Sequence, residues 1–258
     1  MITLKTADEL ALMRKASTIV AEILEELAGA VRPGITTFEL DKMAEELTYK
    51  KGAKPAFKGY TPGDVPYPKT LCVAVNDVIV HGIPSTSQKL KQGDIIGLDF
   101  GVCYEGFYGD SARTLPVGKV SPGTEKLLRV TREALYKAIE QCRVGNRISD
   151  VANAVQCHAE SNGFSVVEEF AGHGIGRRLH EEPSVPNYFR RGMPNPRLLA
   201  GMVIAIEPMV NEGTPRLRIL KDGWTAVTAD GKLSAHFEHS VAITDNGPEI
   251  LSELDHYV

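Results

Sequence analysis

The chain has 258 residues, of which 43% are hydrophobic and 24% are charged, a composition typical of a globular domain with a substantial core. Its net charge of −4 gives no overall electrostatic footprint for nucleic acid, so we expect no DNA partner. No stretch of roughly 18 apolar residues occurs, so no membrane-spanning helix is predicted.

Two helices are predicted at the start of the chain, each opened by a capping box. Residues 6–9 have the Thr-x-x-Glu pattern of such a box, and apolar side chains then recur at helical spacing as far as Pro33-Gly34. The same pattern at residues 36–39 opens a second helix, which reaches Gly52. The chain is therefore expected to begin with a helix pair.

A β-hairpin over residues 95–116 is predicted next, and it carries two aspartates. If its turn is centred between Tyr104 and Glu105, Asp99 and Asp110 lie opposite each other on the two strands. Like charges in opposed positions are destabilising, so a bound cation is the simplest feature that makes this pattern favourable. Carboxylates about 5 Å apart also suit a pair of metal ions. The alternative is two solvated aspartates on an exposed face of the hairpin.

A second helix pair is predicted after the hairpin. Ser121 and Pro122 are typical of the N-cap and first residue of a helix, which runs to about Cys142. Ser149 is predicted to cap another helix, which ends near Gly163. A shift of 111 residues brings the turns and terminal glycines of the two pairs into register: Arg32 with Arg143, Gly34 with Gly145, and Gly52 with Gly163.

Strands follow each helix pair, which favours a protein of two similar halves. The predicted strands are residues 71–81 and 95–116 after the first pair, and 203–210, 216–221, 224–229 and 234–244 after the second. Asp222-Gly223 is typical of a hairpin turn. Helix pairs followed by antiparallel strands indicate an α+β fold. We predict one domain over residues 1–258 with pseudo-symmetric halves at about 1–118 and 119–258, each an antiparallel sheet covered by a helix pair.

Three further residues could join the aspartates in a metal site. His173 lies in a glycine-rich loop, where the backbone can bend and allow a metal or substrate to approach. Glu207 and Glu238 lie in or just after strands whose other residues are apolar. A buried carboxylate is costly unless it is paired or bound to a cation. The alternatives are a surface turn for His173 and a separate salt bridge for either glutamate, but one shared site explains all these residues together.

Five motifs, taken in chain order, resemble those of the type I methionine aminopeptidases: residues 76–84, 98–114, 172–180, 206–209 and 224–239. The resemblance covers nearly the whole chain and implies the pita-bread fold, whose two related halves agree with the internal repeat. It implies hydrolytic removal of the N-terminal methionine from nascent proteins and peptides with a small second residue. The nucleophile would be a hydroxide activated by two metal ions.

The resemblance also assigns roles to individual residues. The ligands of two divalent metals would be Asp99, Asp110, His173, Glu207 and Glu238. This oxygen-rich set favours Mn²⁺, Fe²⁺, Co²⁺ or Zn²⁺, and two such ions would lower the pKa of a shared water. Glu207 would shuttle a proton, His180 would hydrogen-bond the developing oxyanion, and His81 would help to place the substrate. Without the resemblance, His81 would be interpreted as a turn residue before Gly82.

A methionine side chain needs an apolar slot, because a thioether offers shape and polarisability but little hydrogen bonding. By resemblance the substrate-binding residues would be Tyr60, Tyr67, Cys72, His81, His180 and Trp224, with Phe57 beside them. The chain departs from the family in two places: residues 61–66 form a longer segment than usual, and Leu179 stands where an aromatic residue is common. No catalytic role is expected for the remaining histidines, which are His158, His236, His239 and His256.

Three rival interpretations remain open. An aminopeptidase P or a prolidase would share the five ligands, but such enzymes usually carry an additional N-terminal domain. A type II methionine aminopeptidase would carry a long helical insert in its second half, whereas only 34 residues separate His173 from Glu207. A non-catalytic adaptor for RNA or proteins would not need an intact set of ligands.

Cysteine usage and the N-terminal pattern predict the compartment. The four cysteines include no C-x-x-C pair and are too few for a disulfide scaffold, so a reducing compartment is expected. The N-terminal residues lack the basic and apolar segments of a secretory signal. We therefore expect a cytoplasmic monomer whose partners are the N-termini of nascent polypeptides, close to the ribosomal exit tunnel.

Overall fold

The computed structural model describes residues 1–254. The helices are α1 (Ala7–Ala30), α2 (Thr37–Lys50), α3 (Pro122–Glu140) and α4 (Ile148–Ser161). The strands are β1 (Lys54–Pro55), β2 (Cys72–Val75), β3 (Val78–Val80), β4 (Ile95–Tyr104), β5 (Phe107–Pro116), β6 (Ser165–Val166), β7 (Ala171–Gly174), β8 (Glu181–Pro186), β9 (Val203–Ile206), β10 (Met209–Asn211), β11 (Leu217–Ile219), β12 (Ala226–Thr228), β13 (Ser234–His236), β14 (Glu238–Thr244) and β15 (Gly247–Ile250). Within the described range, each helix is too short or too polar to cross a membrane. His256 lies outside the described residues.

Local capping determines where the helices begin. The predicted capping boxes of α1 and α2 are confirmed, and in α1 the Glu9 N–H donates to Thr6 Oγ1 while the Thr6 N–H donates to Glu9 Oε2. The prediction that Ser149 caps α4 is wrong. Arg147 is the N-cap, because the side chain of Asp150, the third helical residue, accepts the Arg147 N–H at 2.7 Å.

The internal repeat of the sequence corresponds to the same turn in both helix pairs. Gly34 and Gly145 adopt nearly equal left-handed conformations, with φ of +94° and +95°, which a side chain would strain. Their N–H groups donate to equivalent partners, the Leu90 carbonyl at 2.8 Å and the Leu198 carbonyl at 3.1 Å. The turns of the two helix pairs thus form the same hydrogen bond to the chain that follows. The division of the chain into halves at about residue 118 stays a proposal.

The two halves meet in one antiparallel sheet. Its strand order is β1-β4-β5-β14-β9-β7-β8, with β2 paired to β4 and β15 paired to β14. Strands β4 and β5 precede the second helix pair and β14 follows it, so the β5–β14 contact joins the halves. Helices α1 and α2 enclose one apolar cluster with β2 and β4, whereas α3 and α4 enclose another with β9 and β14. This arrangement is the predicted α+β architecture.

The β4–β5 hairpin confirms the predicted strands but not their register. Tyr104 is the last residue of β4, so the turn is the two-residue loop Glu105-Gly106, with φ of +48° and +81°. Two positive values are typical of a type I′ turn, whose twist matches that of the strands. Asp99 consequently pairs with Ala112, and the prediction that it lies directly opposite Asp110 is wrong. Because the error is two positions, both carboxylates still project from the same face.

The second half contains strands that the sequence pattern did not reveal. His173, expected in a loop, lies in β7, which pairs with β8 and β9. A glycine-rich segment does not indicate a strand, because glycine has no side chain to pack and weakens a strand interior. The strand places His173 beside β9 and therefore beside Glu207, which a flexible loop would not do reliably.

Candidate metal centre and substrate pocket

Four acidic residues come together on one face of the central sheet. Ala112 of β5 pairs with Asp99 on one side and with Glu238 on the other, so these positions form a row across three strands. Asp110 lies two residues before Ala112 and projects from the same face. Glu207 follows the last paired residue of β9, at the position that continues the register opposite Glu238. Strands β4, β5 and β14 and the end of β9 are therefore all needed to assemble the cluster.

His173 presents one ring nitrogen to this acidic cluster. Its Nδ1 lies 2.9 Å from the Gly174 carbonyl, and since a carbonyl only accepts, Nδ1 carries the proton. Nε2 is then free to act as a ligand, and it lies 3.9 Å from Asp110 Oδ2 and 3.7 Å from Glu207 Oε1. One potential ligand atom each from Asp110, His173 and Glu238 lies within 4.8 Å of the other two.

The cluster fits divalent cations because its buried carboxylates lack other partners. Asp110 Oδ1 and Glu238 Oε1 are buried without a hydrogen bond, and within residues 1–254 neither group has an ion pair with lysine or arginine. Desolvation and the charges of neighbouring carboxylates raise the pKa of Asp110, Glu207 and Glu238 well above the usual range. Desolvation raises the pKa of Asp99 to about 7. Cations would offset both penalties, and carboxylates with one imidazole suit Mn²⁺, Fe²⁺, Co²⁺ or Zn²⁺.

The structure brings one unexpected histidine to the cluster. His236 is only 3% exposed, and its Nε2 lies 3.8 Å from Glu207 Oε2 without a hydrogen bond. In the predicted strand 234–244 it lies two residues before Glu238, and because alternate residues of a strand share a face, this spacing is the signal that could have placed it there. His158 and His239 lie elsewhere and pair with Glu133 and Ser252.

The acidic cluster lines part of a cavity of about 250 Å³. The cavity is lined by Phe57, Tyr60, Pro62, Tyr67, Cys72, His81, Asp99, Asp110, His173, Leu179, His180, Glu207, Trp224 and Glu238. Every residue predicted for the site therefore reaches this cavity. Pro62 is an addition, and it places the unusually long segment 61–66 at the cavity wall.

Another part of the cavity is an apolar slot. Its wall is a cluster of Phe57, Tyr67, Cys72 and Leu179, against which Tyr60 and Trp224 pack. The Tyr67 and Trp224 rings meet edge to face at 5.2 Å, and the Tyr67 hydroxyl donates to the Gly82 carbonyl at 2.8 Å. Tyr67 thus turns its polar atom away from the slot and offers it an apolar surface.

His81 also lines the cavity. It adopts a left-handed conformation, with φ of +60°, which is uncommon for a residue with a side chain and is frequent at functional sites. Its ring packs edge to face against Phe170 at 5.2 Å and Trp224 at 6.0 Å. Desolvation lowers the pKa of His81 to about 4, so the imidazole is neutral at neutral pH.

His180 stands at the mouth of the cavity, where it is partly open to solvent. Its ring centroid lies 4.1 Å from that of His173 and 5.1 Å from that of Tyr60. Within the described residues the His180 ring forms no hydrogen bond with the protein, so its N–H is available to a ligand. Protein atoms around the ring desolvate it and lower the pKa of His180, which keeps it neutral at neutral pH.

Comparison with known proteins identifies the family. The model of metallopeptidase family M24 matches residues 11–245. The chain belongs to this family. It is 55% identical to a methionine aminopeptidase of Clostridium perfringens over 98% of this chain and 99% of that protein. It is 50% identical to methionine aminopeptidase 1 of Bacillus subtilis over 98% of this chain and 100% of that protein.

Solved structures show the same fold. The M24 chain superposes on the crystal structure of methionine aminopeptidase from Thermotoga maritima with a TM-score of 0.94 and 45% identity, covering 98% of this chain and 100% of that chain. A prolidase from Pyrococcus furiosus gives a TM-score of 0.79 at 22% identity, with 98% of this chain and 66% of that chain covered. The latter likeness concerns the fold alone, which is the predicted pita-bread architecture.

The acidic cluster should make the metal-free M24 chain less stable as the pH rises from about 7 to about 8. The pKa of each clustered carboxyl is raised, so the folded chain holds protons that the unfolded chain has already released. Burial lowers the pKa of the neighbouring histidines, so near pH 7 the unfolded chain binds slightly more protons at these positions than the folded chain does. This smaller effect opposes that of the carboxyls and fades as the pH rises. The melting temperature of chelated protein should therefore fall over this interval.

Glu238→Gln serves as the matched variant for this stability measurement, because it removes one clustered carboxyl. It should flatten the pH dependence of the melting temperature, and added Mn²⁺ should raise the melting temperature of the wild-type chain. A melting temperature that rose between pH 7 and pH 8 in chelated wild-type protein would contradict the clustering of buried carboxyls.

Proposed function

We propose that this chain is a methionine aminopeptidase, which hydrolyses the N-terminal methionine from polypeptides whose second residue is small. The single observation that supports it best is the shared cavity, in which the acidic cluster adjoins an apolar slot. The high identity to proteins named methionine aminopeptidase supports the same conclusion.

The proposed metal ligands are Asp99, Asp110, His173, Glu207 and Glu238. Their four carboxylates would balance the charge of two divalent cations, which is why we propose two ions. When bound, such cations supply a lowered pKa for a shared water and polarisation of the scissile carbonyl.

Glu207 is proposed as the proton carrier. Its side chain is 14% exposed, compared with 5% for Asp110, so it reaches further into the cavity than its neighbour. Its oxygens lie near two imidazoles, at 3.7 Å from His173 Nε2 and 3.8 Å from His236 Nε2, which can orient the carboxylate. Glu207 would accept a proton from the attacking water and deliver it to the leaving amine.

The two cavity histidines are proposed to act on the peptide. His180 is neutral and has no hydrogen bond within the described residues, so its N–H can donate to the carbonyl oxygen as negative charge develops there. His81 is held by two aromatic rings and would place the peptide beyond the scissile bond. Substrate binding is proposed for Tyr60, Tyr67, Cys72, His81, His180 and Trp224.

The cellular setting is also a proposal. All four cysteines are free, which supports a reducing compartment, and we propose the cytoplasm. The partners would be the N-termini of nascent polypeptides, which appear at the ribosomal exit tunnel, and the protein would act as a monomer.

Peptide hydrolysis tests the proposed function. Purified protein supplied with Mn²⁺, Co²⁺ or Fe²⁺ should release methionine from Met-Ala peptides faster than the first residue from Ala-Pro or Leu-Pro peptides. Metal content should be determined on the same sample, so that the number of ions is counted with the activity. Faster cleavage of Ala-Pro and Leu-Pro would contradict methionine removal and favour proline-directed cleavage.

The apolar slot should set the preference for the first residue. Norleucine should be accepted with modest loss, because a hydrophobic pocket discriminates a methylene-sized change by only about 1–3 kcal/mol. Charged first residues should fail, since their charge would be buried without a partner. Trp224→Ala should narrow the difference in kcat/KM between methionine and alanine peptides, mainly by weakening methionine. If Trp224→Ala left the ratio of kcat/KM for methionine and alanine peptides unchanged, Trp224 would not be a determinant of first-residue preference.

A further inference from the structure

A buried ion pair involves Glu181, the residue that follows His180 in the chain. The Lys5 ammonium donates to Glu181 Oε2 at 2.7 Å, and the two side chains are only 3% and 7% exposed. Within residues 1–254, no other lysine or arginine is buried. Burying two charges costs desolvation energy that the pairing only partly offsets, so such a pair contributes little to stability by itself. Its position suggests another role.

The Glu181 carboxylate stabilises the turn that precedes it through hydrogen bonds. Its Oε1 accepts the Arg178 N–H at 3.1 Å, while its Oε2 accepts Lys5. The Gly176 N–H donates to the Arg178 carbonyl at 3.2 Å and closes the turn. A Cβ on Gly176 would lie 2.5 Å from Lys5 Cε and 2.8 Å from Glu181 Oε1, so the ion pair packs against the backbone of the turn. We call residues 176–181 the His180 turn.

Lys5 ties this turn to the central sheet. Its backbone N–H donates to the Gly201 carbonyl at 2.7 Å, and the Gly201 N–H donates to Ile243 of β14 at 2.9 Å. The Lys5 ammonium also donates to the Thr3 carbonyl at 3.2 Å. One residue therefore joins the N-terminal segment, the sheet and Glu181.

The orientation of His180 depends on this turn. Its ring has no hydrogen bond to the described protein, and it makes ring contacts with His173 and Tyr60. Because no hydrogen bond fixes the ring, its position depends on its backbone, and the backbone at residue 180 adjoins Glu181. Displacement of Glu181 would therefore move the imidazole relative to the cavity.

We propose that Lys5 is a positioning residue, whose ion pair with Glu181 holds the His180 turn and aims His180 at the substrate. This inference rests on the proposed function, because it assumes that His180 contacts the substrate carbonyl. It assigns a role in the reaction to an N-terminal residue that lies outside the cavity lining.

Lys5→Met should lower kcat for Met-Ala peptides by about 10- to 100-fold, the scale for slight misplacement of a catalytic group, with KM and metal content little changed. Lys5→Arg should retain most of the activity, because it keeps the charge and the donors. Since Lys5→Met leaves Glu181 buried without a partner, Lys5→Met/Glu181→Gln provides a second variant free of an unpaired charge. Lys51→Met is the control, because Lys51 pairs with Glu22 at 2.9 Å between α1 and α2.

A double-mutant cycle separates positioning from general destabilisation. In the His180→Ala background, Lys5→Met/Glu181→Gln should cause no further loss of kcat, because its effect passes through the imidazole. In metal-free protein the imidazole resonances of His180 should shift in the Lys5 variants, whereas those of His158 should not. An equal loss in both backgrounds, or unchanged kcat and unchanged His180 resonances, would overturn the inference.

Failure of the proposed function would look different from failure of this inference. In the former case wild-type protein would not release methionine, or His180→Ala would hydrolyse Met-Ala peptides at the wild-type rate. In the latter case wild-type hydrolysis and the loss in His180→Ala would persist, while the Lys5 variants would either behave like the Lys51→Met control or lose kcat equally in both backgrounds.

Discussion

Asp110→Asn is expected to abolish both metal binding and peptide hydrolysis while the chain stays folded. Asp110 is 4% exposed, and its Oδ1 is buried without a hydrogen-bond partner, so the carboxylate is available to a cation and to little else. An amide cannot supply the negative charge that offsets a dication. Because the substitution also removes one of several mutually repelling carboxyls, the metal-free variant should be at least as stable as metal-free wild type. Metal analysis, peptide assays and thermal unfolding measure these three quantities.

Asp245→Asn is the matched control for the aspartate substitution. Asp245 lies exposed in the turn between β14 and β15, so its loss should change neither metal content nor activity. Full activity of thoroughly chelated wild-type protein, or full metal content in Asp110→Asn, would contradict the proposed metal centre.

His180→Ala is expected to lower kcat by roughly 10²–10³, the scale for losing one oxyanion donor. KM and metal content should change little, because the lost hydrogen bond would form as charge develops on the carbonyl oxygen and His180 is not among the proposed metal ligands. Steady-state kinetics with Met-Ala peptides, together with metal analysis of the same sample, check this expectation.

His158→Ala provides the comparison for the histidine substitution. His158 pairs with Glu133 outside the cavity, so its removal should leave kcat unchanged. If His180→Ala lost its metal, His180 would have to be reassigned as a ligand. If it kept its full kcat, the oxyanion role would be wrong.

Long-range pairing also explains why part of the site could not be predicted from sequence. The row formed by Asp99, Ala112 and Glu238 requires β5 to pair with β14, although more than a hundred residues separate them. His236 lies 3.8 Å from Glu207, although 28 residues separate them and the sequence offers only the spacing of His236 from Glu238. Sequence motifs can name such residues, but the distances between them depend on strands from both halves.

The sequence by itself determined the helix pairs, their repeat and the residue types of the candidate site. Caps depend on hydrogen bonds across three or four residues, so the starts of α1, α2 and α3 follow from local pattern. Only the tertiary structure decided which strand holds His173 and that Lys5 pairs with Glu181. Pairing between strands far apart in the sequence and buried ion pairs depend on packing between distant segments, whose geometry no local window of residues contains.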